Sequence, residues 1–378
     1  MMTFLLNEEQ TMLGDSARTF LGEQSPVAVQ RRLRDAGEPL AFDPQLWAQV
    51  VDLGWTAAAF PEAHGGLAVG YAGVGAVFEQ MGRHLAALPL LSTILCGELL
   101  LRGGADTPAA ERLPQLVAGA TRMALALDEG SRHDPRGFAT QARQEGDGWV
   151  LDADKRYVID GVGADAYVVA VRIEGAADGD DLGLFLVDAA AAGLKANALR
   201  LADSRNHARV VLEGVRVPGT ALLARGRAAS GALDTALDRA RACLAAEALG
   251  LVRESFERTV AYLKERVQFD VPIGSFQALQ HRAARLYVQI ELLDSAVRAA
   301  LAAIDAGRRD AALLVSLAKA HASDLCERVL NEAVQMHGGI GVTDEFDLGL
   351  FLKRARVLQL CLGDARFHRE RYATLRGF

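Results

Sequence analysis

Apolar residues first recur at helical spacing, from Asn7 to about Ala120. Asn7 followed by Glu8, Glu9 and Gln10 predicts a helix start, with a side-chain cap and acids at the positive end of the helix dipole. Gln45 to Leu53 repeats the helical pattern, and Phe60-Pro61-Glu62-Ala63-His64-Gly65-Gly66 interrupts it, because proline and paired glycines disfavour a helix interior. The pattern resumes from Tyr71 to Gly82. Between about Arg122 and Leu223 it changes to short apolar runs bounded by turn residues: Tyr167 to Val171, Gly183 to Val187, and Ala208 to Val217. Such runs predict an antiparallel sandwich or barrel. No glycine-rich strand-to-helix turn accompanies them, which argues against a dinucleotide-binding βαβ unit. From Gly231 onward Leu233, Leu237, Ala240, Leu244, Ala248 and Leu251 form one stripe, and two further long helices are expected over Gln277 to Ala303 and Ala311 to Val334. The chain therefore reads as an α+β protein. Its parts are a helical domain over 1–120, a middle β-domain over 121–225 and a helical bundle over 226–378.

Composition narrows the function classes. Of 378 residues 51% are hydrophobic and 24% charged, which excludes a disordered chain. The balance of 48 acids against 41 bases, a net charge of -7, argues against general nucleic-acid binding, which needs a basic field. Cys96, Cys243, Cys326 and Cys361 form no C-x-x-C pair, so no metal site is expected and the thiols read as reduced. The most apolar stretch, Leu85 to Leu101, is broken by Pro89 and Glu98 and falls short of the ~20 residues that span a bilayer. Residues 1–10 lack a basic leader segment. A cytoplasmic protein is expected.

Two segments carry candidate chemistry. Arg266 to Gln277, reading R-V-Q-F-D-V-P-I-G-S-F-Q, lies between predicted helices, with Gln280 and His281 close behind. Downstream comes Gln335-Met336-His337-Gly338-Gly339-Ile340-Gly341. A guanidinium and a glycine turn suit a pyrophosphate, since glycine lets backbone approach a ligand without a Cβ. Singly, the glycine turn could be a helix stop, the phenylalanines core residues and Arg266 a surface cation. Together with the helix–sheet–helix order these segments resemble the acyl-CoA dehydrogenase family of flavoproteins over essentially the whole chain. Phe60 to Gly66 is similar to that family's early Pro-Glu…Gly-Gly loop, Gly148 to Asp165 with Lys155 to its first middle-domain hairpin, and Val215 to Leu223 to its exit from the sheet. The resemblance implies FAD as cofactor and an acyl-CoA thioester as substrate. It implies that Arg266, Gln268, Phe269, Phe276, Gln280, Gln335, His337, Gly338 and Gly339 hold the adenosine and pyrophosphate half of the flavin, largely that of a neighbouring subunit. Asp270 departs from the pattern, which has glycine there.

The family oxidises its substrate to the 2,3-enoyl-CoA, with a glutamate removing the C2 proton. Its usual place, just before a glycine near the C-terminus, is held here by Leu362, and its alternative place by Ala240. No base stands at either position. Glu247, two turns beyond Ala240 on one helix face, is a substitute candidate; its plainer role is an ion pair with Arg241 or Arg253. Asp364 and Asp238 are lesser candidates.

A second departure precedes the sheet. Where the family carries Thr-Glu-Pro and then Gly-Ser-Asp beside its own flavin ring, this chain has Asp128-Glu129-Gly130-Ser131, leaving Ser131 as the hydroxyl. The part of the site a subunit builds for itself is eroded and the part it lends is kept. The chain thus resembles the small, base-less subunits of heteromeric acyl-CoA dehydrogenases of the pimeloyl-CoA and steroid side-chain types, where a partner supplies the glutamate. The competing expectation is a non-catalytic binding or scaffold protein on the same fold, without flavin.

Overall fold

The computed structural model describes residues 5–104, 107–137, 139–177 and 181–378. Six helices come first: α1 Glu8–Gln24, α2 Val27–Ala36, α3 Pro44–Asp52, α4 Tyr71–His84, α5 Leu90–Leu100 and α6 Ala109–Val117. Eight strands follow: β1 Met123–Ala126, β2 Gln141–Glu145, β3 Gly148–Ile159, β4 Ala166–Ile173, β5 Leu182–Asp188, β6 Leu194–Ala198, β7 His207–Pro218 and β8 Leu222–Arg225. The long helix α7 Gly226–Glu265 leads to the short strands β9 Val267–Gln268 and β10 Val271–Pro272. Helices α8 Gln277–Asp305, α9 Ala311–His337, α10 Leu348–Leu360 and α11 Ala365–Arg376 complete the chain. The order is an N-terminal helical domain, a middle sheet domain and a C-terminal helical domain. Asn7 caps α1 in a reciprocal capping box with Gln10. No described helix is long and apolar enough to cross a membrane.

By compactness the chain divides into two units, one of Leu33–Gly70 and Ala87–Ala240, the other of Met1–Arg32, Tyr71–Ala86 and Arg241–Phe378. The first holds the sheet, in the order β6-β7-β3-β2-β4-β5-β8 with β1 added beside β4. Two differences from the expected antiparallel sheet appear. β1 and β2 both run parallel to β4. The segment expected as a hairpin over 148–165 is mostly one long strand, β3, which pairs back with β2 and outward with β7. The Gly146-Asp147 turn, with Gly146 left-handed at φ 63°, makes the hairpin one strand earlier. Trp149, Leu151, Tyr167, Val169, Phe185, Val210 and Leu212 fill one face of the sheet. Helix α5 packs on β1 and is buried on all sides, which accounts for its continuous apolar run. Its one carboxylate, Glu98, is held by Arg102 and by Arg239 Nε at 3.0 Å.

In the second unit α9 is the hub, packed on α8, α10 and α11, while α4 packs on α1 and α8. The crossing of α4 and α7 depends on small residues. A Cβ at Gly82 would lie 1.9 Å from the Glu247 carbonyl, and one at Gly250 1.8 Å from the Glu79 carbonyl. Any side chain at either position would force these helices apart.

Candidate functional site

The exposed segments come first. β9 and β10 form a two-residue hairpin whose turn residues, Phe269 and Asp270, both have positive φ, 54° and 64°. That is the type I′ pattern, which favours Gly, Asn or Asp. Asp270 therefore stands in place of glycine for a backbone reason, because aspartate tolerates the left-handed region better than most residues. Phe269 at the tip is 86% exposed, and its ring meets that of Phe276 edge-on at 6.2 Å. Arg266 and Gln268 are exposed on the same hairpin. The Arg266 carbonyl accepts from the Ile273 N–H at 2.8 Å, closing the hairpin's base. Gln280 Nε2 donates to the Gly274 carbonyl at 3.0 Å, and this ties the start of α8 to the turn that follows β10.

The glycine turn lies at the end of α9. Gly338 has φ 64°, and both Gly338 and Gly339 face open space where a Cβ would stand. Gln335, Gly338 and Gly339 are exposed. His337 is not: it is buried, stacked on Tyr262 at 4.5 Å and tilted against Phe346 at 4.9 Å. Burial holds its pKa below the usual histidine value, so the ring is neutral near pH 7. Its Nδ1 lies 2.8 Å from the Ala333 carbonyl and must be the donor there, which leaves Nε2 a bare acceptor, buried and without a hydrogen-bond partner. A bare acceptor repels phosphate oxygens and suits a hydroxyl or amino hydrogen. His337, expected among the residues that hold the adenosine and pyrophosphate half of the flavin, is thus enclosed, unlike Gln335, Gly338 and Gly339 beside it.

The loop after β1 behaves differently. Glu129 accepts from Lys155 Nζ at 2.6 Å, from the Ala139 N–H at 2.8 Å and from the Thr140 hydroxyl. Burial alone would raise its pKa, but the hydrogen bonds from Lys155 and Thr140 outweigh it and hold the carboxyl below its usual range. Lys155 is fully buried, also donates to the Leu127 carbonyl, and is pushed down by burial to about 8. Asp128 meets His133 Nδ1 at 2.9 Å and accepts from the Asp134 N–H. Ser131 is exposed in the same loop.

The two residues that the resemblance puts at base positions are both buried. Ala240 on α7 is fully buried. Leu362 is 7% exposed and left-handed, with φ 53°, followed by Gly363 at φ 111°. Three buried cationic or imidazole side chains fix this peptide. Arg241 Nε and His368 Nε2 reach the Leu362 carbonyl at 3.0 and 3.1 Å, and Lys319 Nζ reaches the Gly363 and Leu358 carbonyls at 3.0 Å each. His368 is held neutral by burial and by the neighbouring Arg241 and Lys319 charges, so its Nε2 carries the hydrogen. This cluster went unnoticed in the sequence. Its signal was Lys319 itself, a lysine on the same helix face as Val315, Ala322 and Cys326.

The substitute acids are otherwise engaged. Glu247 is buried and gripped by Arg354, with Nε to Oε1 and Nη2 to Oε2 both at 2.8 Å. The expected partners were Arg241 and Arg253, six residues either side. Six residues place a side chain some 120° around a helix, so neither could face it. A bidentate pair of this kind makes Glu247 a structural carboxylate. Asp364 caps α11 by accepting the Phe367 N–H at 2.7 Å.

The hairpin and the glycine turn suit a flavin dinucleotide: a guanidinium, glycine backbone without Cβ and apolar faces are all presented outward. In the loop after β1 the carboxylates are less suited, because Glu129 is engaged by Lys155 and Thr140 and Asp128 by His133, which leaves the exposed Ser131 hydroxyl. A cleft of about 820 Å3 walled by α1, α4, α7 and α8 contains none of these residues. Among the described residues no group of three or more His, Cys, Asp or Glu could hold a metal ion.

Comparison with known proteins identifies the family. Residues 7–120 match the acyl-CoA dehydrogenase N-terminal domain and residues 230–374 the acyl-CoA dehydrogenase C-terminal domain. The acyl-CoA dehydrogenase FadE12 of Mycobacterium tuberculosis strain H37Rv is 30% identical over 323 residues, covering 84% of this chain and 83% of that protein. Among solved structures, a chain of the ChsE4–ChsE5 complex from Mycobacterium tuberculosis superposes with a TM-score of 0.89 at 27% identity, covering 100% of this chain and 99% of that one. A variant of the Tcur3481–Tcur3483 steroid ACAD gives 0.87 at 30% identity, covering 99% of each chain. The chain belongs to the acyl-CoA dehydrogenase family of oxidoreductases.

Proposed function

We propose that this chain is the base-less subunit of a heteromeric acyl-CoA dehydrogenase that catalyses 2,3-dehydrogenation of an acyl-CoA thioester, with FAD at the subunit interface. The observation that carries the reading is the contrast between closed base positions and an outward-facing hairpin and glycine turn. Leu362 and Ala240 cannot accept a proton, and Glu247 is locked to Arg354. A glutamate of the partner would remove the C2 proton. Bound flavin would supply the acceptor for the C3 hydride. From this chain Arg266 would meet the pyrophosphate charge, Gly338 and Gly339 would let the cofactor approach the backbone without a clashing Cβ, and Phe269 with Phe276 would cover an apolar face of the cofactor. Two of the similar structures are described as pairs, ChsE4–ChsE5 and Tcur3481–Tcur3483, which supports a hetero-oligomer here as well.

Co-expression with candidate glutamate-bearing subunits tests the reading. The expected result is a yellow complex with acyl-CoA-dependent reduction of an electron acceptor, and a colourless, inactive chain when purified singly. Full FAD occupancy and turnover by the single chain would overturn it. A complex that forms without flavin would favour a scaffold role.

A further inference from the structure

The segment from Gly338 to Asp347 joins α9 to α10, and its outer residues Gly338, Gly339, Ile340 and Val342 are exposed. A loop so placed needs anchors on its inner side if it is to hold one shape. One is a stack of Tyr262 on α7, His337 just before the loop and Phe346 near its end; another is local, the Thr343 hydroxyl, which donates to the Ile340 carbonyl at 2.9 Å. The third comes from more than three hundred residues away in sequence. Arg31, on α2, donates to the Asp344 carbonyl and forks onto two carboxylates, reaching Asp347 Oδ1 at 2.9 Å and Asp344 Oδ2 at 3.5 Å. Asp347 is also approached by Arg258 Nη1 at 3.3 Å, and Arg258 itself lies over the Phe351 ring at 5.2 Å. Asp347 is the residue before the first turn of α10. The guanidinium therefore fixes both the backbone of the loop and the point where the next helix starts.

We propose that Arg31 is a positioning residue for the flavin-facing glycine turn. This rests on the reading above that the turn is lent to a flavin. Arg31 touches no residue of the turn's exposed face and acts through Asp344 and Asp347. Arginine is required because one planar fork serves a carbonyl and two carboxylates together, which the single ammonium of a lysine cannot do. An ion pair between side chains alone leaves the backbone free. This one constrains a loop's backbone, so losing it loosens the turn more than it destabilises the fold.

The test uses the co-purified heteromer and three variants of this chain: Arg31→Ala, Arg31→Lys and Asp347→Asn. The readouts are the FAD dissociation constant by flavin fluorescence, amide hydrogen exchange over 338–347, and the thermal midpoint. The expected result for Arg31→Ala is FAD binding weaker by about tenfold, with faster exchange confined to 338–347 and a nearly unchanged midpoint. Arg31→Lys should fall between Arg31→Ala and the parent, and Asp347→Asn should reproduce the loosening from the other side. Unchanged FAD affinity in both Arg31→Ala and Asp347→Asn, with the heteromer intact, overturns the proposal and leaves the functional reading standing. A parent heteromer that binds no FAD overturns the functional reading and this role with it.

Discussion

Two polar segments of this chain use similar residues to opposite ends. In the loop after β1, Asp128, Glu129 and Lys155 bond with one another, with His133 and Thr140, and with nearby backbone. In the β9–β10 hairpin, Arg266, Gln268 and Phe269 point outward. The first arrangement stabilises the subunit and leaves little for a ligand. The second makes only local contacts, Gln268 Nε2 to the Val267 carbonyl and Phe269 against Phe276, and leaves the Arg266 guanidinium and most of the Phe269 ring for one. Hydrogen-bonding capacity buried in a fold is unavailable for recognition, so counting polar residues near a site says less than asking where their hydrogen bonds go.

The sharpest way to break this contrast is to remove Lys155. Lys155→Met would leave Glu129 charged and half-enclosed without its cation, and should cost about 3–5 kcal/mol of folding stability in urea unfolding. A loss below about 1 kcal/mol would mean that the loop does not rely on inward bonding. Next comes Lys319→Met, which removes the donor from the Leu358 and Gly363 carbonyls and should cost about 2–4 kcal/mol. This variant also has a pH signature. Burial lowers Lys319 to about 8, below the 10.5 of a free lysine. Between those values the unfolded chain binds more protons than the folded one, so this group's contribution to stability rises with pH. The parent should gain stability from pH 8 to 10 relative to Lys319→Met, as denaturant midpoints would show.

The outward-facing residues should behave in reverse. Phe269→Ala should change folding stability by less than about 0.5 kcal/mol. The same change should weaken flavin retention by the heteromer by about tenfold, since stacking contacts of this kind are worth on the order of 1–3 kcal/mol. Equilibrium unfolding and flavin release, measured on one preparation, check both halves. The smallest effect is expected at Asp270. Asp270→Gly should be neutral within about 0.5 kcal/mol, whereas Asp270→Val should cost about 1 kcal/mol, because a branched side chain resists the left-handed turn.

Much of this was legible in the sequence. The Asn7 cap, the interruption at Phe60 to Gly66, the three central strands and the long C-terminal helices all follow from local spacing and turn chemistry. The reading of Leu362 and Ala240 as empty base positions rests on the motif resemblance. What escaped was non-local. Strand direction in a mixed sheet depends on how chain segments return, and nothing in Gly148 to Asp165 marks it as one strand. Glu247 was matched to arginines near in sequence, while its partner Arg354 lies on α10, more than a hundred residues away. Lys319 and His368 looked like ordinary helix residues, and their role depends on a peptide contributed by the loop between α10 and α11.

The two-residue turn at Phe269 and Asp270 has a kinetic consequence. A tip this short has few alternative shapes, so the exposed ring samples few positions before any encounter. Docking then forfeits little conformational entropy. Variants that loosen the turn should therefore slow association modestly as well as hasten release, whereas truncating the ring should act almost wholly on release. A subunit that brings no proton acceptor of its own would contribute to catalysis through how long it keeps the assembled site together.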